Sequence, residues 1–260
     1  MSNSLFRANP LEQLKKLSSA RVGLQRVGSS VATSDVLKFD LDHARARDAV
    51  HLPYDTAMIA AELDKRCIEH IQVDSGAADR GTYLQRPDLG RALSDASKTF
   101  LQRYNQGLKR QFDLGIFIAD GLSTRAIHSN ALPFIDEFLP IAARRGWSCS
   151  PLVLVNQGRV AIADEIGEIL KTRLSIILIG ERPGLTASDS MGIYITYEPR
   201  HGRSDAERNC LSNVRDGGLS IAEAARKLEG LIEGSFILGL SGVALKEGEE
   251  LLVDKMLFDQ

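Results

Sequence analysis

The sequence predicts an α/β protein built on a mostly parallel, doubly wound sheet. Short apolar runs alternate with helical segments over most of the chain, which is typical of βαβ units. The clearest run, LSIILI at 174–179, has the composition of a strand buried on both faces. Gly180 ends this strand, and the charged turn ERPG follows at 181–184. Because ligands bind outside the carboxyl ends of parallel strands, the turn is a candidate binding loop, with an ordinary exposed turn as the alternative.

Residues 1–54 are predicted to form a small helical N-terminal region. An Asn-Pro pair is typical of a helix start, so we expect a helix at 10–19. A Thr-Ser-Asp cluster can cap a second helix, at 33–50. The segment HLPYD at 51–55 then interrupts the helical pattern. We place the boundary there, so that the α/β domain comprises residues 55–260.

The α/β domain is predicted to alternate strands and helices. Runs rich in Ile, Val and Leu predict the strands, and apolar residues at helical spacing predict the helices. The predicted strands are 71–75, 113–120, 152–155, 174–179 and 193–197. The predicted helices are 55–69, 83–109 with a leading turn, 123–146, 161–171, a short one at 204–210, and 220–231. Pro140 lies inside one of these helices and should kink it.

Composition excludes several classes of protein. The net charge of −2 gives no electrostatic reason to expect a nucleic acid or a membrane surface as partner. The longest apolar run is far shorter than the roughly 20 residues that span a bilayer. The three cysteines are widely spaced and form no CxxC motif, so neither a disulfide framework nor a zinc module is expected. These features, with no secretory signal, favour the cytoplasm.

Three polar, glycine-containing loops follow predicted strands and should lie at one edge of the sheet. They are DGLST at 120–124, QGRV at 157–160 and GERPG at 180–184. Right-handed crossovers bring the carboxyl ends of parallel strands to the same edge. Charged side chains, hydroxyls and exposed backbone amides would converge there. The sequence therefore predicts a binding surface for a large polar ligand.

The same loops do not form a recognisable catalytic site. The histidines lack the spacing of an HExxH metal site, and the glycine pattern GxSxG of a nucleophile elbow is absent. No GxGxxG fingerprint follows a strand, and there is no Walker A sequence. Cys210 is more often a small buried hydrophobe than a reactive thiol. We therefore predict no catalytic residue and no protein-held metal in this chain.

Seven motifs make the chain resemble the small (light) subunit of ethanolamine ammonia-lyase, an adenosylcobalamin-dependent enzyme. They occur in family order between residues 17 and 235. The motifs are ARV at 20–22, YLQRPDLGR at 83–91, DGLST at 120–124, GRVAI at 158–162, IGEIL at 166–170, GERPGL at 180–185 and CLSN at 210–213. The resemblance implies a Rossmann-like domain that carries a helical N-terminal portion. It also implies the breakdown of ethanolamine to acetaldehyde and ammonia.

The resemblance implies that Val160, Glu181 and Cys210 contact cobalamin. Two of these residues lie in loops that the strand pattern already places at the ligand edge. The family keeps the cofactor's own base on cobalt. In agreement, none of the histidines lies in a DxHxxG motif, which would supply a protein ligand instead. Arg125 departs from the family pattern, which commonly has an acidic residue at that position.

The resemblance also implies a partner and a location. The partner is a large, TIM-type barrel subunit that holds ethanolamine and performs the radical chemistry, with six copies of each subunit. The N-terminus is shorter than in members with a leading helix associated with microcompartment packaging. The cytoplasm is therefore expected, with a bacterial microcompartment as the alternative. Two other classes stay open beside this one: a stand-alone α/β nucleotide-binding enzyme, and a purely structural assembly subunit.

Overall fold

The computed structural model describes residues 20–24, 26–107 and 111–245. Two short strands and a long helix come first, and strands and helices then alternate. The elements in chain order are β1 Arg26–Val27, β2 Ser30–Val31, α1 Thr33–His51, α2 Thr56–Lys65, β3 His70–Asp74, α3 Arg80–Gln85, α4 Asp95–Gln106, β4 Phe112–Ala119, α5 Thr124–Arg144, β5 Leu152–Asn156, α6 Ile162–Leu170, β6 Thr172–Gly180, β7 Met191–Tyr197, β8 Arg208–Val214 and α7 Ile221–Leu238. The predicted helix at 10–19 lies outside the described residues, and the boundary near residue 54 stays a prediction.

The central sheet has six strands in the order β3-β5-β4-β6-β7-β8. The first four strands are parallel to one another. The β6–β7 and β7–β8 pairs are antiparallel. The α/β class is therefore confirmed, and the described sheet is mixed, with three parallel and two antiparallel strand pairs. The antiparallel β6–β7 pair follows from the short link at 181–190, since a parallel crossover needs a dozen or more residues.

Helices pack on both faces of the sheet. Alternate residues of β4 show the division: Ile116 and Ile118 belong to one apolar cluster, whereas Phe117 and Ala119 belong to the other. The first cluster is covered by α2, α5 and α7. The second is covered by α4 and α6. Burial on both faces explains why the central strands are continuously apolar in sequence.

Two predicted helices differ from the structure. The helix expected at 204–210 is wrong, because a single 3₁₀ turn at Asp205–Glu207 leads directly into β8. The long helix expected to reach residue 109 is divided into α3 and α4 by an irregular stretch containing a second 3₁₀ turn. The side chains of Ser123 and Ser220 cap α5 and α7 by accepting backbone hydrogen bonds. The Thr-Ser-Asp cap predicted at 33–35 is wrong, because the N-cap of α1 is Ala32, which has no side chain that can accept a hydrogen bond.

Candidate functional site

The loops after β4, β5 and β6 meet at one edge of the sheet. The backbone N–H of Leu122 donates to the carbonyl oxygen of Gly180 at 2.8 Å. The backbone N–H of Gly158 donates to the Asp120 carboxylate at 3.2 Å. Glycine is required at 180 because a Cβ atom there would lie 2.0 Å from the carbonyl oxygen of Ser123. The predicted convergence of the three loops is therefore confirmed.

Asp120 ties these loops together from inside the protein. Its side chain is 1% exposed, and one guanidinium nitrogen of Arg80 lies 2.9 Å from its Oδ2 atom. The same nitrogen donates to the carbonyl oxygen of Gly121 at 2.8 Å. Burial raises the pKa of Asp120 to about 6, although Arg80 opposes this change. Asp120 is therefore a structural contact of the edge and does not face a ligand.

A cavity of about 480 Å³ opens between the start of α6 and β8. Val160, from the loop before α6, and Cys210, from β8, both line it. The other lining residues are Pro87, Arg91, Arg159, Ala161, Tyr194, Asp205 and Arg208. Two of the three residues that the family resemblance singles out thus share one cavity, although they are separated by fifty positions in the sequence.

Cys210 is an exposed residue of β8. Tyr194 lies directly opposite it on the neighbouring strand β7. Desolvation raises the pKa of the Cys210 thiol, Tyr194 opposes the change, and the negative charge of Glu181 adds to it. A raised pKa keeps the sulfur protonated near neutral pH, whereas a nucleophilic cysteine needs a lowered one. Cys210 is therefore suited to contact a ligand and poorly suited to attack one.

Glu181 lies beside the cavity and is held by three donors. The hydroxyls of Ser190 and Ser212 each lie 2.5 Å from a carboxylate oxygen. The backbone N–H of Asn213 donates at 3.1 Å. Gly192 makes room for this arrangement, since a Cβ atom there would lie 3.1 Å both from Glu181 Oε1 and from the Tyr194 ring. Glu181 is thus an oriented carboxylate, not a freely solvated turn charge.

A buried ion pair joins the two sides of the cavity. Arg208 on β8 donates to both carboxylate oxygens of Asp164 on α6, at 2.6 and 2.7 Å. The side chains are 2% and 3% exposed. Arg208 also donates to the hydroxyl of Thr196 on β7. The pair could not be predicted from the sequence, because Asp164 and Arg208 are forty-four positions apart in the chain.

A second, larger cavity lies beyond the ends of β3 and β5. Its volume is about 610 Å³, and Asp74, Arg80 and Asn156 are among its lining residues. The Asn156 amide donates to Asp74 at 2.7 Å, and Arg80 donates to the carbonyl oxygen of Val50 at 2.7 Å. These groups therefore have partners within the chain, whereas the Nη2 atom of Arg80 is buried and has no hydrogen-bond partner among the described residues. We place the candidate site at the smaller cavity, because none of the three singled-out residues lines the larger one.

Comparison with known proteins gives a consistent result. Residues 8–246 match the family described as Ethanolamine ammonia-lyase light chain (EutC). The chain is 51% identical over 243 residues to a protein named ethanolamine ammonia-lyase small subunit from Pseudomonas paraeruginosa, covering 94% of this chain and 89% of that protein. It is 49% identical over 239 residues to the protein of that name from Pseudomonas fluorescens, covering 92% and 87%. The chain belongs to the ethanolamine ammonia-lyase light-chain family. The resemblance inferred from the seven motifs is confirmed.

The candidate site of this light-chain family member combines charged, polar and apolar side chains. Within residues 20–24, 26–107 and 111–245, no three His, Cys, Asp or Glu side chains are grouped as a metal site. No helix in those same ranges is long and apolar enough to cross a membrane. The candidate site offers one oriented carboxylate, a protonated thiol, an apolar valine and arginines. This combination suits the binding of a large amphipathic ligand.

Proposed function

We propose that this chain is the small subunit of an adenosylcobalamin-dependent ethanolamine ammonia-lyase. The enzyme converts ethanolamine to acetaldehyde and ammonia, and this chain binds one side of the cofactor. The observation that carries the proposal is the cavity between α6 and β8, where Val160 and Cys210 meet with Glu181 alongside. The fold description implied by the family, a Rossmann-like doubly wound domain, is proposed with it. Helices on both faces of the sheet support that description.

The residues of the cavity fit the chemistry of cobalamin. The corrin ring presents apolar faces and a rim of side-chain amides. Val160 and Tyr194 supply apolar contact area for such a face. Glu181 has two oxygens with about four acceptor positions, of which three are used within the protein. One position on Oε1 therefore remains for an amide N–H of the ligand. When bound, the cofactor supplies the radical through its Co–C bond, and this chain supplies orientation and shielding.

The partner proposed for this chain is the large, TIM-type barrel subunit, which would carry the catalytic residues. The relatives are named small subunits, which supports a large-subunit partner. The cavity is open, so this chain alone would cover only one side of a ligand as large as cobalamin, and a second protein is needed to enclose it. We propose six copies of each subunit, a base-on cofactor without a histidine ligand, and a cytoplasmic location with a microcompartment as the alternative.

The test is a titration of adenosylcobalamin into this chain, into the large subunit and into their mixture, followed by absorbance. We expect weak binding to each subunit alone and much tighter binding to the mixture, because the second protein adds contacts to an already oriented cofactor. Full-strength binding to either subunit alone would show that the shared site is wrong. No binding to the mixture would contradict the proposed function itself.

A further inference from the structure

Three alternate residues of β8 face the candidate site, whereas a register shift opposite Met191–Ile193 turns Val214 into the apolar cluster that contains Leu211. Side chains along a strand point alternately to the two faces of a sheet. Arg208, Cys210 and Ser212 therefore share one face, while Leu211 points to the opposite face and joins the apolar cluster under α7. Arg208 and Cys210 line the cavity, and Ser212 contacts Glu181. Strand β8 thus carries Cys210, lines the cavity that contains Val160, and contacts Glu181.

Arg208 fixes the start of α6 relative to β8. Its guanidinium group forms two parallel hydrogen bonds with Asp164, which lies in the first turn of α6. A bidentate pair of this kind fixes both distance and orientation. A third bond, to the Thr196 hydroxyl at 3.0 Å, holds the guanidinium plane from β7. The loop that carries Val160 leads directly into this turn of α6. Arg208 therefore helps to place Val160, together with the hydrogen bond from the backbone N–H of Arg159 to the carbonyl oxygen of Gly90.

Ser212 fixes the carboxylate of Glu181. Its hydroxyl donates to Oε1 at 2.5 Å, while the remaining donors, Ser190 and the backbone of Asn213, bind Oε2. Among the described residues only Ser212 donates to Oε1, so this atom keeps an acceptor position that they do not occupy. Ser212 is an exposed residue, so the apolar core does not depend on it. The Ser212 side chain contributes to the site through its hydrogen bond to Glu181.

We propose that β8 is the positioning strand of the cofactor site. Arg208 places the loop that carries Val160, and Ser212 orients the carboxylate of Glu181, on either side of Cys210. This inference rests on the proposed function, because the three residues matter only if they contact the cofactor. Arg208 and Ser212 are positioning residues: each acts through a neighbour, since their donor groups bind protein atoms.

The first experiment measures adenosylcobalamin affinity by absorbance titration of the complex with the large subunit. Ser212→Ala is expected to weaken binding about fivefold to tenfold, because Glu181 loses one of its orienting bonds. Ser212→Thr retains the hydroxyl and should bind like the wild type. Ser129→Ala, at an exposed serine on α5, is the matched control and should leave the affinity unchanged.

A double-mutant cycle separates positioning from other effects. If Ser212 acts through Glu181, then Ser212→Ala has no further effect once Glu181→Ala is present. If Ser212→Ala lowers the affinity equally in the wild type and in the Glu181→Ala variant, Ser212 does not act through Glu181. If Ser212→Ala alone causes no loss of affinity, the proposed role of Ser212 is likewise wrong. An unchanged affinity of the Glu181→Ala complex would instead contradict the proposed function, because the carboxylate would not then be a cofactor contact.

Arg208→Lys tests the other half of the proposal. Lysine retains the charge but not the two parallel bonds to Asp164. We expect about tenfold weaker cofactor binding, with folding checked by circular dichroism. If this variant does not fold, Thr196→Val removes one bond to Arg208 and should weaken cofactor binding in the same direction. A folded variant with wild-type affinity would show that Arg208 does not position the site.

Discussion

Asp120 and Glu181 both follow a buried strand directly, yet their surroundings give them different roles. Asp120 is enclosed by neighbouring loops and paired with Arg80. Glu181 is half-buried and keeps an acceptor position for a ligand. The sequence places both residues at the correct edge. The sequence does not reveal which of the two residues is buried, because the burial of Asp120 depends on α3, which lies forty positions earlier in the chain.

The raised pKa of Asp120 predicts a pH dependence of stability. Its pKa is about 6 in the folded chain and 3.8 ordinarily, so the folded state binds more protons between these values. The free energy of unfolding should therefore fall as pH rises from about 4 to about 6, by up to about 3 kcal/mol. Urea unfolding of Asp120→Asn across this range should show that this fall is lost. Asp216→Asn, at an exposed carboxylate, should keep the wild-type dependence of the unfolding free energy on pH. If both variants show the same dependence on pH, the fall in stability does not come from Asp120.

At the scale of elements, the strands buried on both faces could be predicted, whereas the edge strand β8 could not. β4, β5 and β6 are continuous apolar runs, which is a strong signal. β8 is an edge strand with polar residues on its site-facing side, and its apolar residues Leu211 and Val214 are three positions apart, as on a helix. The direction of β7 was available from the length of the link before it.

The buried pair between α6 and β8 should contribute strongly to stability. Removing one partner leaves an uncompensated buried charge, so Asp164→Asn is expected to lower the free energy of unfolding by about 3–5 kcal/mol. Chemical denaturation measures this change. The double variant Arg208→Met with Asp164→Leu should recover much of it, because no charge is then buried. Asp88→Asn, in the exposed pair with Arg86, is the control and should have no measurable effect. If Asp164→Asn lowers the free energy of unfolding no more than Asp88→Asn does, the prediction is wrong.

For the whole molecule, we propose that the candidate site is one half of a binding surface. Asp120 is used within the fold, the Cys210 thiol has a raised pKa, and Glu181 is held by hydroxyls, so none of them is prepared for acid–base or nucleophilic work. The family motifs name Val160, Glu181 and Cys210, which stay predicted cofactor contacts, whereas the arrangement of these residues depends on contacts between α6 and β8 that are distant in the chain.

This arrangement predicts that the isolated chain has no ammonia-lyase activity. Purified chain with adenosylcobalamin and ethanolamine should release no acetaldehyde above the rate without protein, because the chain offers binding groups only. Adding the large subunit should restore acetaldehyde production, measured by coupled reduction of the aldehyde. Turnover by the isolated chain would place catalytic groups here and contradict this division of labour.

The edge that carries the site should also carry part of the subunit interface, and Gly184 allows this to be tested without disturbing the fold. Gly184 is exposed, and a Cβ atom there would have its nearest neighbours 3.9 Å away, so a large side chain fits. Gly184→Trp should therefore fold normally but weaken both assembly with the large subunit and cofactor retention, measured by gel filtration and absorbance. Gly107→Trp is the matched control, because Gly107 is exposed at the end of α4, near the start of β4 and thus at the opposite edge of the sheet. It should assemble and retain cobalamin like the wild type. If Gly184→Trp assembles as well as Gly107→Trp does, the barrel subunit does not cover this edge, since an indole ring would obstruct any close contact there.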